Sequence, residues 1–280
     1  MSRYDLPVSA LLWAGMAAFT PPISVPVAAQ TNDVVLATTT SVRDAGLLDI
    51  LLPPFELTSG VTVRVVAVGS GQAMELGRRG EADILILHDP YGERGFVDGG
   101  FGIDRRPLMH NTFVIVGPPE DPAAIRGHSA VDAFRAIAAG NVLFVSRGDR
   151  SGTHAREELL WGRSGVEPDV DMLRETGQGM GTSLLIADQL GAYALSDIGT
   201  FLAHKAPLHL EVLVEHDSAL VNSYHVVRVN PERFPQVNAE GARMLAEYLL
   251  SPETLRVIGE YGVARYGRAL FEPALPAPLH

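Results

Sequence analysis

Arg147 stands in a segment built to hold an anion. Ser146-Arg147-Gly148-Asp149-Arg150-Ser151-Gly152-Thr153-His154 follows an apolar run (141–145) and leads into an amphipathic stretch (155–161). A strand that passes into a helix through such residues offers one guanidinium, two hydroxyls (Ser151, Thr153) and, at Gly152, backbone that a ligand can approach closely. The first-turn amides of the helix have no intrahelical partners and lie at the positive end of its dipole, which favours negative charge there. Ser151 and His154 also have the residue types of a nucleophile and its base, so an exported serine hydrolase is the rival chemistry.

Two upstream segments repeat the pattern. Thr38-Thr39-Thr40-Ser41 follows the apolar run 34–37, and Asp44, three residues past Ser41, has the spacing of a capping-box partner. Gly69-Ser70-Gly71-Gln72 follows the alternating run 61–68. Taken singly, each is an ordinary helix cap or turn. In an open α/β sheet, however, ligands sit at the C-terminal ends of strands, so all three loops can face one crevice. Together they suit a small, fully deprotonated oxyanion. A tetrahedral dianion without protons takes donors only, whereas a protonated phosphate also needs an acceptor. Asp149 is the acid in this cradle: turned outward it leaves a site for tungstate, molybdate or sulfate, and turned inward it admits phosphate.

The other chemistry-bearing residues have plainer readings. No Gly-x-Ser-x-Gly elbow surrounds Ser151, whose place at a helix start suits a cap. Arg147-Gly148-Asp149 is an adhesion tripeptide in form only. His88-Asp89 and the scattered histidines lack metal-ligand spacing, so no metal site is expected. Met172, Met180 and Met244 read as core filler.

The elements that must position these loops alternate. Runs 34–37, 61–68 and 82–87 read as strands, with helical patterns at 44–57, 72–79 and 93–98 between and after them. Pro53-Pro54 is expected to kink or split the first helix. This order implies a parallel sheet with right-handed crossovers. A long strand at 106–116 leads to a second set: helix 131–138, strand 141–145, helices 153–161 and 182–190, strand 193–195 and helix 199–204. Extended segments at 210–214 and 223–229 follow, then helices at 239–250 and 252–261. The layout is two α/β lobes, two sheets flanked by helices and joined by two hinge segments. The first lobe covers 30–112, the second 113–224, and 225–280 returns to the first.

The start of the chain reads as an export signal over 1–29. Arg3 supplies positive charge, 10–19 is apolar but too short to span a bilayer, and Val27-Ala28-Ala29 offers a cleavage site. With no Cys in its 280 residues the chain has neither a lipid-attachment residue nor disulfides, so a soluble periplasmic product is expected. Arg3 and Asp5 cancel, leaving the net charge of −11 after cleavage. That balance argues against nucleic acid, which needs a clustered basic face, but not against a small buried anion site.

At this point the residues resemble a family. Thr38-Thr39-Thr40-Ser41 with Asp44 and Gly46-Leu47-Leu48, Val68-Gly69-Ser70-Gly71-Gln72-Ala73, Ala82-Asp83 and Asn111-x-Phe113-Val114-Ile115-Val116-Gly117-Pro118 look like the tungstate-binding proteins of ABC importers (TupA-like). So do Ser146-Arg147-Gly148-Asp149, Ser151-Gly152-Thr153-His154, Gly179-Met180-Gly181 and Tyr193-Ala194-Leu195-Ser196-Asp197. The match runs through nearly the whole chain after the signal. It implies a type-2 periplasmic-binding-protein fold, without cofactor or catalysis, that closes its lobes on tungstate or molybdate. Carried over by position, Thr39, Thr40, Ser41 and Ser70 line one side of the site. Arg147, Ser151, Gly152 and Thr153 line the other, with Arg147 the electrostatic anchor. The implied partners are a membrane permease and ATPase, and the implied receptor acts as a monomer. Three positions depart from the family pattern: Arg150 where an acid is usual, Ile198 where a basic residue is usual, and His110 in place of Tyr.

Overall fold

The computed structural model describes Met1, residues 32–166 and residues 168–274; the expected signal segment lies outside these. In chain order the first part comprises β1 (Asp33–Thr39), α1 (Thr40–Asp44), α2 (Leu48–Ser59), β2 (Thr62–Val68), α3 (Ser70–Arg78), β3 (Ile84–Leu87) and α4 (Pro90–Asp98). β4 (Gly102–Gly117) then carries the chain into α5 (Ala130–Ala139), β5 (Phe144–Ser146), α6 (Gly152–Ser164), β6 (Leu173–Glu175), α7 (Met180–Leu190), β7 (Tyr193–Asp197), α8 (Ile198–His204) and β8 (Glu211–Val214). After a 3₁₀ turn, β9 (Val221–Val229) returns, followed by α9 (Ala239–Leu249), α10 (Pro252–Glu260), α11 (Val263–Tyr266) and β10 (Glu272–Pro273).

The strands form one hydrogen-bonded path, β2-β1-β3-β9-β4-β7-β5-β6, with β8 and β10 also paired to β4. β1 pairs in parallel with β2 and β3, while β9 lies antiparallel to β3 and β4. β4 belongs to both halves. Through Thr112 it pairs with β9, and from Phe113 onward it pairs with β7 and β8. The two strands that cross between the halves are therefore bonded to each other, with Asn111 opposite Asn222 and Thr112 opposite Val221.

Each half is covered on both faces, which explains strands that read as unbroken apolar runs. In β3, Ile84 and Ile86 enter a core with Leu51, Phe55 and Leu245, while Leu85 and Leu87 enter a second with Met74 and Phe96. In β4, Phe113 and Ile115 pack with Phe134 and Leu160, while Val114 and Val116 pack with Met180 and Leu184. Asp83 secures the first half: its carboxylate accepts the Val35 amide at 2.6 Å and the Asn238 amide at 2.7 Å, fastening β1 to the start of α9.

The prolines do not break their helix. α2 runs through Pro53 and Pro54, and the interruption falls earlier, at Gly46, whose φ of +77° suits glycine. Both prolines lie on the exposed face with Asp49 and Ile50, whose carbonyls lose their helical donors but remain open to water. The buried face of Leu48, Leu51, Leu52 and Phe55 holds the helix together. The strand expected at 141–145 is shorter, since Asn141 adopts a left-handed turn conformation (φ +50°) and pairing begins at Phe144.

Candidate functional site

Three strands end in helix starts that carry the hydroxyls singled out by sequence. At the first, Thr39 is the cap of α1, its Oγ1 accepting the Val42 amide at 3.4 Å. Thr40 is half-buried and Ser41 buried. The capping-box role expected of Asp44 does not hold: Asp44 pairs with Arg43, and Thr39 does the capping. α1 packs on α7 and α8 of the other half.

At the second, Gly69 precedes α3 and supplies no side-chain cap, which leaves the α3 first-turn amides without one. Ser70 is fully buried and its Oγ has no partner. At the third, Ser151 caps α6 by accepting the His154 amide at 3.2 Å, and the Thr153 side chain is fully buried with Oγ1 unpartnered. The second and third loops touch. A Cβ on Gly69 would lie 3.8 Å from Ser151 Cα, and one on Gly71 would lie 3.4 Å from the Arg150 carbonyl oxygen.

Arg147 is 2% exposed and held on three sides. Its Nε donates to the Gln178 carbonyl at 2.7 Å, next to the start of α7; its Nη2 pairs with Asp149; its backbone N–H donates to Glu157. Nη1 is buried and has no partner. Asp149 is thus turned onto Arg147, with its second oxygen accepting the Ser151 amide at 3.0 Å. Unsatisfied buried polar groups are costly in any folded chain. Ser70 Oγ, Arg147 Nη1 and Thr153 Oγ1 are three such donors, drawn from both halves.

The loop backbone is set by tight constraints. Gly148 has φ +58°, and a Cβ there would fall 2.8 Å from Glu175 Cβ. Arg150 is left-handed at φ +57°, a strained state for a residue with a Cβ, and its amide is held by His154 Nδ1 at 3.1 Å. That bond bears on the hydrolase reading. His154 Nδ1 is occupied by a backbone amide, its Nε2 faces Glu158 at 3.9 Å, and Ser151 Oγ is engaged as a cap. The pair lacks the nucleophile-to-base hydrogen bond that the chemistry requires. Among the described residues no group of three or more His, Asp or Glu is placed to hold a metal ion.

Behind the loop lies Glu157, 1% exposed, accepting from Ser146 Oγ and the Arg147 amide. Burial pushes its carboxyl up to about 8, against those hydrogen bonds, which favour the charged form. Between its ordinary value near 4.5 and 8, the folded chain holds a proton that the unfolded chain releases. Rising pH therefore destabilises the fold across that window, by at most about 1.4 kcal/mol per pH unit for one linked proton. Thermal unfolding is expected to show a midpoint that falls from pH 6 to 8.5 in the wild type and a flatter profile in Glu157→Gln. An equally steep profile in the variant would remove Glu157 as the cause.

Sequence reasoning passed over a buried network where the strands cross. His88 Nδ1 donates to Asn222 Oδ1 (2.9 Å), and Asn222 Nδ2 donates to Asn111 Oδ1 (2.8 Å) and to the Tyr224 hydroxyl (2.9 Å). Burial pushes His88 down to about 4, so the ring is neutral at pH 7. It lies against Tyr224 and Phe113, and a Cβ on Gly152 would meet it at 2.6 Å. Asp197 also went unassigned: buried, it caps α8, accepting the Thr200 amide at 2.9 Å. The signal available for both was placement at a strand's C-terminal end, the same signal that picked out Ser70 and Arg147.

Comparison with known proteins agrees with this architecture. A model of the PBP superfamily domain matches residues 26–253. The tungstate-binding protein TupA of Peptoclostridium acidaminophilum is 44% identical over 245 residues, covering 86% of each chain. Among solved structures, that of a tungstate ABC transporter protein from Geobacter sulfurreducens superposes with a TM-score of 0.76 at 42% identity. It covers 82% of this chain and 98% of its own. The tungstate-binding protein TupA from Desulfovibrio alaskensis G20 gives 0.75 at 40% identity, with coverage of 87% and 99%.

Proposed function

This chain belongs to the PBP superfamily and, within it, to the TupA-like tungstate-binding proteins of ABC importers, and on that premise we propose how its site works. The protein is a solute receptor that captures tungstate, with molybdate as the competing ligand, and presents it to a membrane permease and ATPase. It acts in the periplasm as a monomer, and no catalytic step is involved. No helix among the described residues is long and apolar enough to cross a membrane.

The observation that carries this reading is that Ser70 Oγ, Arg147 Nη1 and Thr153 Oγ1 are all buried, all donors and all unpartnered, on two loops that touch. A tetrahedral oxyanion offers every one of them an acceptor. Thr39, Thr40 and Ser41 from the start of α1, with Ser151 and the backbone at Gly152, complete the shell. Arg147 brings the full positive charge. Closing two halves around the anion replaces its water shell with fixed donors in a low-dielectric site, where each is worth more than in water. The paired strands β4 and β9 are the hinge about which the halves move.

Competition calorimetry with tungstate, molybdate, sulfate and phosphate tests the assignment. Tungstate is expected to displace sulfate and phosphate; phosphate binding more tightly than tungstate would overturn it. Ser70→Ala and Thr153→Ala should each weaken tungstate by about 1.5–3 kcal/mol, one hydrogen bond to a charged group. Affinity unchanged in both variants would remove these hydroxyls from the site.

A further inference from the structure

Three buried groups where β4, β7 and α8 meet have no role in the binding shell described above. Asp197 is 1% exposed; its Oδ1 is committed to the Thr200 amide, and its Oδ2 has no partner. Thr200 Oγ1 and Asn111 Nδ2 are likewise buried and unpartnered. Asp197 lies opposite Phe113 in the β4–β7 register, two residues along from Asn111 on the same face of β4. The Arg147 field reaches it. The other titratable group facing it is Tyr224 on β9, whose phenol is pushed well above its usual value by burial first and by Asp197 second. α1 packs against α8 and meets it at Ala45, while the acid of α7, Asp188, is turned away to His209 and Leu210. Arg147 is thus the one cation whose field acts on this carboxyl among the described residues.

An ionised carboxylate beside a bound dianion in a water-poor site is strongly unfavourable. With a proton on Oδ2 the same group becomes a donor, like its unpartnered neighbours. A protonated phosphate poses the opposite demand, since its P–OH needs an acceptor that an ionised Asp197 supplies. Asp149 cannot make that choice, because its two oxygens are committed to Arg147 and Ser151; Asp197 has an oxygen free for it.

We propose that Asp197 is a specificity-determining group that takes up a proton from solvent onto Oδ2 when a fully deprotonated oxyanion binds. The proposal rests on the receptor reading above. Burial already holds this carboxyl above its ordinary range, against the Thr200 amide hydrogen bond and the pull of Arg147, which readies it for protonation.

The test is calorimetric titration of the intact protein with sodium tungstate between pH 5 and 9, in buffers of different ionisation enthalpy. Wild type should take up to one proton per tungstate bound at the alkaline end, and its affinity there should fall by about tenfold per pH unit. Asp197→Asn should lose the uptake and the pH dependence while still binding tungstate, and Glu157→Gln should keep both. An infrared difference spectrum of the wild type should show a protonated-carboxyl band appearing with tungstate, which tests the idea without any Asp197 variant. Tungstate binding by wild type with no proton uptake at any of these pH values, or uptake that survives in Asp197→Asn, overturns the proposal. Failure of wild type to bind tungstate at all overturns the receptor reading instead.

Discussion

Arg147→Ala is expected to weaken tungstate binding by between about thirtyfold and several thousandfold, measured by calorimetry near pH 7. The range corresponds to the roughly 2–5 kcal/mol cost of removing one member of a buried charge pair. The physical reason lies in what remains. Ser70 and Thr153 are neutral donors, and without the guanidinium the site keeps hydrogen bonds but no full positive charge. Asp149 then faces the bound anion as an unpaired carboxylate, and the positive field that stabilises ionised Asp197 disappears. The variant is also expected to unfold at lower temperature, because Asp149 and the Gln178 carbonyl lose their partner. Arg147→Lys separates charge from geometry. A point cation restores the field but cannot reach the Gln178 carbonyl, Asp149 and the anion through one planar fork, so an intermediate affinity is expected. Unchanged affinity in Arg147→Ala sinks the assignment of this residue.

The second large effect is expected from a single methyl group. Gly152→Ala puts a Cβ 2.6 Å from the His88 ring, a separation that real side chains do not tolerate. His88 cannot swing away cheaply. It is buried against Phe113 and Tyr224 and tied through Asn222 to both crossing strands. Overpacking of this kind costs typically 1–3 kcal/mol. The methyl would also hold Thr153 and Arg147 away from Ser70, so their hydrogen bonds to the anion weaken together. A loss of about a hundredfold or more in tungstate affinity is expected. His88→Ala in the same chain should recover most of it by making room, and small-angle scattering should show the single variant more extended than wild type with tungstate. A double variant as weak as Gly152→Ala alone would mean that the contact with His88 is not the obstacle.

Much of the fold and part of the candidate site could be read from residue order. The alternation of apolar runs with amphipathic stretches marked the strands and helices of both halves, because buried parallel strands and amphipathic helices leave periodic traces. Hydroxyls and glycines at strand ends marked Ser70, Arg147 and Thr153. What stayed hidden depended on distant pairing. His88 looked like one scattered histidine, since nothing local tells that Asn222, 134 positions later, accepts a hydrogen bond from its ring. Asp197 carried no assignment of its own, and its free oxygen becomes visible only once β7 lies beside β4. Pro53 and Pro54 misled for a related reason. Their cost depends on whether the orphaned carbonyls face water, a property of the helix face rather than of the sequence.

The way β4 and β9 pair has a consequence for how the chain is made. Thr112 and Val221 are direct partners, so everything from Phe113 to Leu220 is an excursion that leaves and re-enters the first half at neighbouring points of one antiparallel ladder. During synthesis that excursion is complete, with its own two-faced core, before β9 exists. The first half must wait. Until β9 arrives, β3 presents an unpaired apolar edge of Ile84, Leu85, Ile86 and Leu87, the kind of surface that invites pairing with another chain. The middle of the sequence is thus the early-folding unit, and its two ends are the part at risk of misassembly while the chain is unfinished.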